Sequence, residues 1–293
     1  MSEHTTRWIA LCALVVLCSG CARHDARHQV ATGAAPGPWD RPGTKLGQEI
    51  VGPDGGKMVW VPPGEFQMGS TEGNDDEEPV HRVRITRGFW LGKCEVTNAQ
   101  YRRYCQATRR LPAWPSWQGD DHPVVWVSWT NVAAYCRYYG LQLPTEAQWE
   151  YAARGPQSRK YPWGDKWDTR NCCNNENRGP KGKTFPVGSF PDGASWCGAL
   201  DMAGNVSEWC QDWVDVDYYA RSPVDDPQGP AEAVDNPDFG KVRASRGGGW
   251  PDTDNCRSAC RNGDPVWARD SHFGFRCIKA PTAATDAPAP PPE

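Results

Sequence analysis

The chain has 293 residues, a formal net charge of −4 and 38% hydrophobic residues. No basic run interrupts this mild balance, so nucleic acid is excluded as the expected partner. Sixteen Trp and thirteen Cys are the compositional outliers.

At the start, Arg7 and the apolar stretch WIALCALVVL (8–17) have the pattern of an export signal, too short to span a bilayer comfortably. LCSGC (17–21) resembles a bacterial lipobox, with Cys18 where an aliphatic residue is usual. It predicts a signal peptide over 1–21 and lipid attachment to Cys21; a soluble secreted form cut nearby is the alternative. The lipid would be the sole membrane contact and would hold the protein at a bacterial cell envelope, on the periplasmic face of a membrane or exported. Residues 22–50 read as a flexible linker and 281–293 as a disordered Pro/Ala-rich tail. Residues 51–280 leave about 230 residues, enough for one domain with a complete core. Ten cysteines remain after Cys12, Cys18 and Cys21. An even number in an exported chain predicts a disulfide-bonded domain whose pairing spacing cannot give.

Within the domain, GKMVWVPPGEFQMGS (56–70) predicts two short strands around a Pro-Pro-Gly turn. EGNDDEEPV (72–80) carries five carboxylates and reads as a solvated loop, with metal binding as the alternative. VHRVRI (80–85) alternates as a half-buried strand does. Three helices follow. Thr97 or Asn98 caps the first, Ser128 caps 129–140 ahead of Gly140, and Thr145 with Gln148 forms a capping box for the third. Further on, helical signals give way to short strand candidates at 207–213, 243–248 and 272–279. Helices first and short irregular strands later predict an α+β domain.

Several blocks then match one family in order and spacing. MVWVPPGEFQMGS, EPVHRVRITRGFWLGKCEVTNAQY, HPVVWVSWTNVAAYCRYYGLQLPTEAQWEYAARG, YPWGD, DMAGNVSEWCQDW, SRGGGW and HFGFRC resemble the formylglycine-generating enzyme (sulfatase-modifying factor) family over about 57–279. The resemblance implies a variant of the C-type-lectin-like fold with little regular secondary structure. It also implies a copper- and oxygen-dependent oxidoreductase that converts the cysteine of a Cys-x-Pro-x-Arg motif into formylglycine. Such enzymes hold copper through a C-x4-C thiolate pair, and soft sulfur suits Cu(I).

In RGGGWPDTDNCRSACRNG (246–263) the register leaves that pair unmatched. Counting from Gly247-Gly248-Gly249, the first catalytic position falls on Asp252; counting back from GFRC, Ser258 to Arg261 take the family's C-A-A-R block, with the loop shortened by about five residues. Cys256 and Cys260 are the remaining catalytic candidates, spaced C-x3-C, and ~13 Å apart if extended. Copper is expected only if a non-extended loop brings them together; otherwise they are structural cysteines. The resemblance implies calcium on Asn205, Val206 and Glu208, or a hydrogen-bonded turn in its place, and a second calcium on Asn171 and the Cys172 carbonyl. It implies a Cys136–Cys277 disulfide, while the family's second bridge meets Ala153 and Ser258. Trp250 and Asp252 fall at the pocket position, with Arg257 and Arg261 as anionic anchors or buried ion-pair partners.

Two functions are weighed. One is oxygen-dependent oxidation of a protein cysteine, or other metal chemistry; His81, His122 and His272 offer no familiar ligand spacing. The other is a non-catalytic envelope module that binds a peptide, glycan or protein partner. Whether Cys256 and Cys260 are free thiols or locked in disulfides separates the two, because a copper or iron enzyme needs available ligands and a scaffold would lock them away.

Overall fold

A computed structural model describes residues 37–111, 118–179, 183–236 and 240–282. The signal segment, Cys21, most of the predicted linker and the tail from 283 lie outside the described residues. The strands are β1 (Glu49–Val51), β2 (Lys57–Val61), β3 (Gly64–Met68), β4 (His81–Ile85) and β5 (Phe89–Gly92). The helices α1 (Asn98–Thr108), α2 (Trp129–Tyr139) and α3 (Glu146–Arg154) follow. Then come β6 (Ser207–Trp213), β7 (Asp235–Asn236), β8 (Gly240–Arg246), β9 (Arg261–Pro265), β10 (Phe273–Gly274) and β11 (Ile278–Lys279).

The helices begin where the sequence says they should. Thr97, Ser128 and Thr145 each accept a hydrogen bond from the backbone N–H three residues on, and Gln100, Asn131 and Gln148 reach back to close capping boxes. Gly140 ends α2 at φ +65°, the left-handed conformation that glycine adopts without steric cost.

The sheets are less local. β2 and β3, adjacent across Pro-Pro, join different sheets: the antiparallel order β1-β2-β5-β11, and the pair β3-β4. The third sheet runs β10-β6-β8-β7, with β9 also on β8, and its β10-β6 pair is parallel. The 2-residue strands β10 and β11 replace the single strand expected over 272–279; β5 and β9 carry no alternation and were not foreseen. β1 and the packed Trp39 also correct the linker boundary, because the domain already includes residues 37–50.

Two apolar clusters make the core. One joins β2 to β5 with Ala147, Trp149 and Tyr151 of α3; the other packs Tyr101, Tyr104 and Tyr135 of α1 and α2 around Phe275 and Trp209. Trp149 and Trp209 are fully buried, and their indole N–H groups donate to Glu208 and the Val127 carbonyl. They serve as core, which suits a large ring with one polar atom to satisfy.

All ten described cysteines are free, so the structure does not bear out a disulfide-bonded domain. Cys136 and Cys277 nevertheless meet, with Sγ atoms 3.6 Å apart, beyond the ~2.05 Å of a covalent bond.

Candidate functional site

The end of β8, the start of β6, β9 and β10 surround a polar cavity of about 200 Å³. Ser207, Ser245, Asp252, Asn255, Asn262, Asp264 and His272 line it. Backbone direction explains the convergence: Ser245 pairs with Asn262 in the β8-β9 register, and Ser207 pairs with Phe273. After β8, Gly247 and Gly248 take φ +90° and +65°, and the chain turns sharply before Asp252.

Asp252 is held in place by two donors: the Gly249 N–H at 2.8 Å and the Asn255 amide at 3.0 Å. Asp264 accepts from Ser245 Oγ at 2.6 Å, and burial raises its pKa above the ordinary carboxylate range. His272 Nδ1 lies 3.1 Å from Asp270 Oδ1. Ser207 Oγ is buried with no partner.

Cys256 and Cys260 are free thiols, which on its own favours the enzyme reading, but neither lines this cavity. Residues 254–256 form a 3-10 turn, so the segment is not extended, yet Cys256 and Cys260 turn to different partners. Cys256 is fully buried against Cys172; that sulfur contact, then burial, pushes its thiol well above the usual range. Cys260 Sγ donates to Asn255 Oδ1 at 3.4 Å, and burial pushes it up to about 11. Neither environment favours the thiolate that a copper ligand must be.

The pocket residues expected from sequence therefore separate. Asp252 lines the cavity. Trp250 is half-buried beside it, with its indole N–H on the Ser271 carbonyl and the Arg178 and Lys183 cations over its ring at 5.6 and 5.4 Å. Arg257 instead faces a separate cleft of about 540 Å³ and makes a two-pronged pair with Glu77, both contacts at 2.7 Å. Glu77 is completely buried, which corrects the reading of 72–80 as wholly solvated. Arg261 is buried against Glu146.

The loop expected to hold calcium commits its groups elsewhere. Asn205 Oδ1 accepts from the Phe185 N–H, and its amide donates to Glu95. Both Glu208 oxygens are taken by Arg276, at 2.6 and 2.7 Å, and one also by Trp149. Sequence reasoning missed Glu95 and Asp201, which meet beside this pair and are buried. Glu95 Oε2 has no donor, and burial followed by the neighbouring Asp201 charge pushes its pKa well up. Burial likewise raises Asp201. Arg276 thus hydrogen-bonds Glu208 and acts on Glu95 and Asp201 through its charge alone. Among the described residues no three His, Cys, Asp or Glu side chains form a ready metal cage. At the second expected calcium site, Asn174 and Asn177 amides occupy the Cys172 carbonyl at 3.1 and 3.2 Å.

With this geometry in hand, relatives are informative. The Sulfatase-modifying factor enzyme 1-like domain matches residues 46–281. The formylglycine-generating enzyme of Streptomyces coelicolor is 33% identical, over 84% of this chain and 93% of that protein. A serine/threonine-protein kinase, Pkn1 of Chlamydia trachomatis, is 35% identical over 76% of this chain, which spans only 38% of the kinase. Among solved structures, PvdO of Pseudomonas aeruginosa superposes with a TM-score of 0.70 at 27% identity, covering 81% of this chain and 100% of PvdO. The chain belongs to the formylglycine-generating enzyme (sulfatase-modifying factor) family.

Proposed function

We propose that this domain is a binding module of the family and does not make formylglycine. The observation that carries the reading is the exchange at the cavity. Asp252 stands where the register puts the first catalytic thiol, while Cys256 and Cys260 are buried and directed to Cys172 and Asn255. A copper enzyme of this class needs two accessible thiolates facing its substrate. Here the cavity offers carboxylates, amides and hydroxyls, a set that accepts hydrogen bonds and favours a cation.

The ligand class that fits is a peptide or protein partner presenting a Lys or Arg side chain. About 200 Å³ accommodates one such head group, and Asp264 and Asp252 supply opposite charge. A glycan is disfavoured because the cavity is narrow and Trp250 already carries Arg178 and Lys183 over its ring. The lipobox ending in Cys21 supports an envelope-tethered partner-binding role. Titration of the soluble domain with short Lys- or Arg-containing peptides and their norleucine counterparts, followed by calorimetry, tests the reading. Preferential binding of the basic peptides is expected, weakened by Asp264→Asn; equal binding of both series would overturn it.

Calcium belongs to the same proposal, in an altered place. Glu95 and Asp201 are the carboxyls outside the Glu208–Arg276 pair, and the Glu95 Oε2 atom without a donor is the feature that fits a hard cation, with backbone carbonyls and water needed to complete its shell. Bound there, calcium would offset the charge of these buried carboxyls and stiffen the segment from Asp201 that leads into β6.

A further inference from the structure

Cys172 and Cys256 come from segments 84 positions apart in sequence, yet they pack with Ala203 in one small buried cluster flanked by Trp163 and Trp167. The two thiols are near enough to shift each other's titration in opposite directions, Cys172 downward and Cys256 upward. Cys256 is wholly buried and Cys172 almost so. The neighbouring thiol, Cys173, points away and donates to the Lys183 carbonyl at 3.4 Å. Cys260 is turned to Asn255. Each cysteine of the 172/173 and 256/260 sets therefore has its own direction, and one sulfur from each set meets the other.

We propose that Cys172 and Cys256 are a thiol pair that closes to a disulfide and thereby ties the 171–177 loop to the turn carrying Trp250 and Asp252. The two segments are already joined by one backbone hydrogen bond, from the Asn175 N–H to the Asp252 carbonyl at 2.8 Å. Asn174 orders the Cys172 side of the pair: its amide donates to Cys172 Sγ at 3.3 Å and to the Cys172 carbonyl at 3.1 Å. A donor on the sulfur stabilises a thiolate, which makes Cys172 the attacking group. The oxidant is the disulfide of a small thiol, or of a protein thiol oxidase. Cys172 thiolate attacks one of its sulfurs and releases the first thiol. Cys256 then loses its proton and attacks the Cys172 sulfur of the mixed disulfide, releasing the second thiol. Two protein thiols are oxidised and one disulfide is reduced. Burial means that the first attack proceeds through local opening of the loop, and that the closed bond is shielded from reductants.

This inference stands apart from ligand binding. Its test uses the folded soluble domain, reduced and then equilibrated with oxidised and reduced glutathione. Free thiols are alkylated, the protein is digested without reductant, and fragmentation between Cys172 and Cys173 assigns the linkage. A peptide joining Cys172 to Cys256 is expected, together with loss of alkylation at both and slower amide exchange over 250–256 than in the reduced protein. In Cys256→Ala, Cys172 should retain glutathione as a mixed disulfide. Full alkylation of Cys172 and Cys256 after oxidation, or Cys256 joined to Cys173 or Cys260, would overturn the pairing. A cross-link without any change in exchange over 250–256 would overturn the tie to the pocket turn.

Discussion

Two buried ionic clusters handle charge differently. Behind α3, Glu146 and Glu150 face Arg154, Arg246 and Arg261, and nearly every carboxylate oxygen is answered by a guanidinium. Although burial works against it, Arg246 and Arg154 hold Glu150 below the ordinary carboxylate range. Around Arg276 the balance fails: the guanidinium bonds Glu208, and burial drives Glu95 and Asp201 upward instead. The first cluster pairs both of its central carboxylates with guanidinium groups, and only at its edge does burial raise Asp76 and Asp212. In the second, burial raises two of the three carboxyls. Matching of buried charge thus distinguishes structure from a candidate binding site where composition and burial alone would not.

The contrast can be broken most forcefully in the balanced cluster. Arg246→Met leaves Glu150 to Arg154 and Glu146 to Arg261, removes one of the three buried cations, and should cost ~3–5 kcal/mol, read as a shift in urea midpoint. If the cost is no larger than that of a surface substitution, the cluster is not the scaffold described. Asp212 borders the same cluster and accepts from the Glu146 N–H at 2.9 Å; burial, then the Glu146 charge, pushes it up to about 8. The folded state therefore retains a proton that the unfolded chain has lost. This contribution is full below pH ~4 and fades as pH rises toward about 8, at no more than ~1.4 kcal/mol per pH unit. Asp212→Asn should flatten that part of the stability–pH curve, and an unchanged slope would remove Asp212 as its source.

In the unbalanced cluster, calcium at a hundred times its dissociation constant should stabilise by ~2.7 kcal/mol, seen as a rise in Tm over a chelator control. Glu95→Gln combined with Asp201→Asn should abolish the response. In chelator, Glu95→Gln alone should change stability by less than ~1 kcal/mol, because it removes a crowded charge and keeps the bond from Asn205. At the cavity, Asp264→Asn should weaken a basic peptide about tenfold, or ~1.4 kcal/mol, with little effect on unfolding.

Much of the scaffold was readable because it is local. Thr97, Ser128 and Thr145 announce helices through caps that act within three residues, and alternation exposes β4. Strand pairing was not readable: β2 and β3 sit side by side in sequence and join different sheets. The family register singled out Asp252, which lines the cavity. It gave no sign that Arg257 would turn to Glu77, 180 positions away, because nothing local marks one carboxylate of an acidic run as buried. Glu95 and Asp201 escaped notice for the same reason: each is an ordinary acidic residue until the fold places them against each other.

The central claim is that the cavity binds without oxidising. Its most direct test is incubation of the soluble domain with copper, reductant, oxygen and a Cys-x-Pro-x-Arg peptide, read by peptide mass beside an active family member. An unchanged peptide is predicted, since the loop offers Asp252 and keeps both thiols buried. Conversion of the cysteine to the aldehyde would contradict the account and show that the domain builds a copper site despite the burial of Cys256 and Cys260.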